Sequence, residues 1–70
     1  MNKDKMLNVI SEVKKSKPTG FNAMECTEFH NKNYSYIDWH EYSNFLDVLN
    51  NNGFIHCVGH NRDSMTIYDF

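Results

Sequence analysis

The sequence predicts an α+β domain in which three helices precede a two-stranded β-hairpin. Apolar residues recur at three- and four-residue steps in two segments, one before Pro18 and one before Gly53. Two short runs rich in β-branched, aromatic and sulfur side chains follow Gly53, separated by a polar stretch. With 70 residues there is material for one hydrophobic core, so all of these segments have to share it.

The first helix is expected over Lys3 to Ser16. Met6, Leu7, Val9, Ile10 and Val13 fall on one face and Lys3, Asp4, Asn8, Glu12 and Lys15 on the other. Lys14, Lys15 and Lys17 collect where cations complement a helix C-terminus, and Pro18 ends the helix. Pro18, Thr19 and Gly20 read as a connector. Asn22 is an N-cap for a second helix over Ala23 to His30, with Phe21, Met24, Cys26 and Phe29 on its apolar side. Asn31 to Ser35 reads as a polar turn. A helix of about four turns is then expected from Tyr36 to Asn51, burying Tyr36, Trp39, Tyr42, Phe45, Leu46 and Leu49. Asn50, Asn51, Asn52 and Gly53 tolerate the left-handed conformation that stops it. Phe54 to Val58 and Met65 to Phe70 are the expected strands, joined by Gly59 to Ser64.

Composition narrows the class. Hydrophobic residues make up 40% of the chain, and five Phe, four Tyr and one Trp supply large core side chains, which argues against disorder. Apolar runs are three residues or shorter, so no membrane span and no leader segment is expected, and a cytoplasmic location follows. Cys26 and Cys57 are too few for a disulfide framework. The asparagine content is in keeping with an AT-rich coding sequence, such as many phages carry.

Three helices and a hairpin, with a short turn between the second and third helices, resemble the winged helix-turn-helix family. The resemblance is most specific where the third helix meets the first strand: Phe45, Leu46, Val48 and Leu49, then Asn50 to Asn52, Gly53, Phe54 and Ile55. It implies a long recognition helix and a wing with His60 to Ser64 at its tip. Winged helices serve as DNA readers, protein-binding adaptors and dimerisation units, so the fold leaves function open.

Charge separates those roles. A helix in the major groove faces phosphates on both walls and calls for Lys or Arg on its exposed side. The exposed positions expected here are Asp38, His40, Glu41, Ser43, Asn44 and Asp47. Residues 33–70 hold Arg62 against Asp38, Glu41, Asp47, Asp63 and Asp69, a net charge of 1 − 5 = −4, whereas residues 1–32 hold six Lys against four acids, a net of +2. The favoured reading is a non-enzymatic regulatory module that binds a protein partner with a basic surface, as adaptor or inhibitor of a nucleic-acid-handling machine. Asp38, Glu41 and Asp47 would supply the charge, and Tyr34 and Tyr36 the aromatic anchors. The alternative is a DNA-binding transcriptional regulator, dimeric in one version, using Lys14, Lys15, Lys17, Asn44 and Arg62.

Other chemistries find less in the sequence. Cys26 and His30 share a helix face and Cys57 and His60 lie near one strand, but the spacing matches no zinc pattern, so buried thiols and surface imidazoles are expected instead of a metal site. No phosphate loop or nucleophile motif occurs. Neither catalysis nor a cofactor is expected.

Overall fold

Pro18, Asn22, Asp38 and Gly53 punctuate the chain, and the computed structural model, which describes residues 3–60, 62 and 64–70, resolves what each of them does. The elements are α1 (Lys3–Ser16), α2 (Ala23–Asn33), α3 (Trp39–Asn51), β1 (His56–His60) and β2 (Thr66–Asp69). Three helices followed by an antiparallel hairpin is the expected α+β order, and it is consistent with a winged-helix-like topology. Asn61 and Asp63, in the expected loop, lie outside the described residues.

In α1, Met6, Val9, Ile10 and Val13 are buried, the set that one helical face presents. Leu7, expected among them, sits at the edge of that face and stays exposed. Asn22 caps α2 as the sequence suggested, its Oδ1 accepting the Glu25 N–H at 2.8 Å. The buried face of α2 is Ala23, Cys26, Thr27 and His30, while Met24, one step round the helix, is exposed. The helix also runs beyond His30. Nothing in Asn31 to Asn33 breaks it, the Asn33 side chain donates to the Phe29 carbonyl at 3.0 Å, and the Tyr34 N–H donates to the His30 carbonyl at 2.9 Å.

The third helix starts at Trp39, later than its apolar period suggests. Asp38 is extended and is the N-cap, its Oδ1 accepting the His40 N–H at 3.0 Å. The preceding segment is tied to α2, because the Ile37 N–H donates to Asn31 Oδ1 at 2.7 Å and the Ile37 side chain is buried. Tyr36 therefore belongs to the connector and is 83% exposed, not part of the buried stripe. Trp39 is 39% exposed and stacks on His40 with ring centroids 4.2 Å apart. Tyr42 and Leu46 are fully buried, with Phe45 and Leu49 half-buried against the same core.

Gly53 ends α3 through a paired closure. At φ 80° it lets its own N–H reach the Asn50 carbonyl at 3.1 Å and the Phe54 N–H reach the Leu49 carbonyl at 3.0 Å, the Schellman arrangement. Phe54 is thereby fixed beside the helix end, outside the strand in which the alternation places it, and Ile55 turns into the core. The hairpin then pairs His56 with Asp69 and Cys57 with Tyr68, but Gly59 with Ile67 and His60 with Thr66, so Val58 is the extra residue of a bulge. Met65 precedes β2 and is not part of it.

A short pairing unforeseen in the sequence completes the sheet. The Phe21 N–H donates to the Tyr68 carbonyl at 2.9 Å and the Tyr68 N–H returns a bond to the Phe21 carbonyl at 2.8 Å. The segment between α1 and α2 thus adds itself to the free side of β2. Phe21 is fully buried there, a contribution of roughly 1.5 to 3 kcal/mol.

Candidate functional site

The acidic side of α3 is built by its cap and its first three turns. Asp38 is occupied locally: His40 donates to its Oδ1 from both the backbone N–H and Nδ1, the latter at 2.9 Å, and those bonds hold the carboxyl below its usual range. Glu41 and Asp47 are exposed and, among the described residues, make no ion pair. They leave the helix on different sides. Glu41 shares a shallow depression with Lys3, Met6 and Asn44, at the α1 edge of α3. Asp47 lies toward the hairpin, where burial first and its charge second push the Tyr68 hydroxyl up. Asn44 is exposed between the two, and α3 contains no Lys or Arg.

The two tyrosines play different parts. Tyr36 projects freely. Tyr34 is 47% exposed but held, with its ring edge-on to His30 at 5.5 Å, tilted against Phe29 at 6.5 Å, and covered by the Lys5 ammonium at 4.9 Å from its centroid. An aromatic already immobilised loses little side-chain freedom on binding, whereas Tyr36 must be ordered by whatever it meets.

The lysine cluster is largely neutralised within the fold. Lys14 bridges α1 to β2 through Asp69 at 2.7 Å and donates to the Pro18 carbonyl at 2.6 Å, and this bond holds the Asp69 carboxyl below its usual range. Lys17 pairs with Glu25 of α2 at 2.5 Å, which raises its own pKa. Lys15 meets Glu12 at 3.5 Å across one turn. Arg62 is exposed in the hairpin turn, away from this cluster in sequence. The three lysines of the DNA-reading alternative are therefore met by carboxylates of the same chain, while Glu41 and Asp47 of α3 make no ion pair among the described residues.

A second surface went unnoticed in the sequence. Between α1 and α3 runs a groove of about 400 Å³ lined by Leu7, Phe45, Val48, Leu49, Phe54 and Phe70, with Lys3 at its rim. Phe54 is 69% exposed and Phe70 54%, large values for aromatic rings beside a hollow. The exposed Leu7 and Val48 flank them. A helical wheel shows Leu7 and Val48 at the margins of their faces; the position of Phe54 depends on the Gly53 closure, which periodicity does not report.

The thiol and imidazole groups stay apart. Cys26 is in the core, where burial pushes its thiol up to about 12, and Cys57 is exposed on β1. His30 is buried against Tyr42, and His60 is exposed. Among the described residues no three His, Cys, Asp or Glu side chains converge on a point a metal could occupy. No helix among them is long and apolar enough to cross a membrane.

Comparison with protein-family models, with curated proteins and with solved structures finds no match to this chain.

Proposed function

We infer that the chain is a winged-helix regulatory module without catalytic activity, which binds a partner protein through the exposed acidic side of α3. The strand-like segment at Phe21, between the first two helices and paired to β2, supports the winged-helix reading beyond simple element order. The observation that carries the functional reading is the asymmetry of the ion pairs. Lys14, Lys15 and Lys17 are met by Asp69, Glu12 and Glu25, whereas Glu41 and Asp47 have no such partner among the described residues. A helix of this kind repels phosphates and attracts a basic surface, speeding encounter and selecting the partner, with Tyr36 as the aromatic that closes over it. Proteins that handle nucleic acids carry such basic surfaces, and an adaptor or inhibitor seated there would exclude the nucleic acid.

A direct test compares the wild type with a variant carrying Asp38→Asn, Glu41→Lys and Asp47→Lys, the first change keeping a side chain that can cap α3. Each is titrated into a random DNA duplex at about 50 mM and about 200 mM salt, and each is used as bait for proteins of the source cell. The expected result is no duplex binding by the wild type at either salt and a captured basic protein that the variant releases. Micromolar duplex binding by the wild type with a steep salt dependence would replace this reading with the DNA-binding one.

A further inference from the structure

The turn that ends α3 brings together two groups that can react with each other. Of the ten asparagines, Asn52 is the one followed by glycine. The carbon of an asparagine side-chain amide is an electrophile, and the backbone nitrogen of the next residue is the nucleophile nearest to it. Where that residue is glycine, no side chain hinders the approach. We propose that Asn52 and Gly53 form a deamidation site held shut by the closure of α3, so that a chain whose helix end opens is covalently altered there.

Burial does not protect the pair. Both residues are exposed, and a Cβ on Gly53 would meet nothing within 4 Å. What holds the reacting groups apart is the local hydrogen bonding. Asn52 Nδ2 donates to the Val48 carbonyl at 2.8 Å, which turns the amide back along α3, and the Gly53 N–H donates to the Asn50 carbonyl at 3.1 Å. The backbone angle adds to this. At φ −93° and ψ 2° Asn52 has the Gly53 nitrogen eclipsing its own nitrogen and not its Cβ, so ring closure requires a rotation of a third of a turn about the Cα–C bond. That rotation cannot occur while the Phe54 N–H stays on the Leu49 carbonyl.

Once the closure opens, the Gly53 nitrogen attacks Asn52 Cγ and gives up its proton. The bond from Cγ to Nδ2 breaks, ammonia leaves, and a five-membered cyclic imide remains. Water then opens the ring. Attack at Cγ yields an aspartate, and attack at the original main-chain carbonyl yields an isoaspartate, whose backbone runs through the former side chain. The sum is amide plus water giving acid plus ammonia, with no oxidant or reductant involved. Either product sets a carboxylate at the negative end of the helix dipole and removes the donor to the Val48 carbonyl. The isoaspartate also lengthens the main chain by one carbon, which shifts the Gly53 and Phe54 N–H groups out of register with the Asn50 and Leu49 carbonyls. The altered chain therefore closes its helix less well than before. None of this depends on the acidic-face reading.

The test incubates the full chain for days at mildly alkaline pH with and without denaturing urea, follows the acidic product by isoelectric focusing, and locates it by peptide mass spectrometry. Asn52 should react in urea, and at least about tenfold more slowly in the folded chain, because the hydrogen bonds of the closure have to open first. Asn52→Gln should lose the acidic product, and Gly53→Ala, compared in urea where no fold is at stake, should slow its formation. The product, purified and refolded, should show a lower urea midpoint than the unaltered chain. Equal rates with and without urea overturn the protective role of the closure. Absence of reaction at Asn52 in urea, or an acidic product that persists in Asn52→Gln, overturns the site itself.

Discussion

Tyr42 brings a hydroxyl into the core, and the core meets it with His30: the oxygen and Nδ1 lie 2.8 Å apart, and both side chains are buried. A satisfied pair of this kind contributes on the order of 1 kcal/mol, whereas either group left alone would cost about 1 to 3 kcal/mol. The same burial, with the Lys5 ammonium as a lesser influence, lowers the His30 pKa below 6.5. The unfolded chain therefore binds the proton more readily than the folded one, so this stability is complete above about pH 6.5 and declines as the pH falls from there toward the folded-state value. Urea midpoints at about pH 7.5 and about pH 5.5 should differ in that direction, and His30→Gln should flatten the difference. A wild-type midpoint constant over that interval would show that the imidazole is hydrated. The sequence offered His30 as one member of a helix-face pair with Cys26, and that much was correct; its partner Tyr42 is twelve residues away on α3 and no local spacing announces it.

At the scale of the element, connections were harder to read than helices. The end of α3 was legible because Gly53 acts through its own backbone, and the cap of α2 because Asn22 acts within three residues. The start of α3 was not. Apolar period alone reached back to Tyr36, although Asp38 with Glu41 three residues later is the pattern of a helix start and was available to be read. Tertiary anchoring of Ile37 through Asn31 settles the matter, and it has no local signature. Gly20 illustrates the same limit. It read as part of a connector, but at φ 131° a Cβ there would lie 2.7 Å from both Ile67 Cγ2 and the Tyr68 carbonyl oxygen. Gly20→Ala should therefore push β2 away from Phe21 and destabilise the fold by more than about 1 kcal/mol, measured by chemical denaturation. Gly59→Ala is the informative comparison, because its added methyl meets nothing within 4 Å although its φ of 155° is also positive. Equal losses at the two sites would make backbone strain, not close approach to β2, the reason for glycine at position 20.

For the molecule as a whole, size sets the terms. At roughly 0.05 to 0.15 kcal/mol per residue, a chain of 70 residues has a total stability of about 4 to 10 kcal/mol. Leu46 is fully buried among the core side chains, and its truncation to alanine should cost about 2 to 5 kcal/mol, a large share of that total. Val48→Ala, on the exposed side of the same helix, should change stability by no more than about 0.5 kcal/mol. Thermal melts of the two variants would check the contrast, and comparable losses would mean that the α1/α3 groove is part of the cooperative core. Fold class was legible at this scale because helix, stop and strand signals are each local. The acidic face was legible only as charge, since the ion pairs that occupy Lys14 and Lys17 reach from α1 and the connector after it to β2 and α2, while Glu41 and Asp47 make none among the described residues.

The reciprocal bonds between Phe21 and Tyr68 also order events in time. The two residues are 68 − 21 = 47 positions apart, and the bonds between them bring together a segment made early in synthesis and one made late. At roughly 5 to 20 residues per second, a nascent chain waits several seconds with Phe21 uncovered after the first helices have emerged. Closure of the sheet follows translation of Tyr68 and does not accompany it, so a ribosome stalled within the hairpin would hold out an open, unfinished core to whatever chaperone stands nearby.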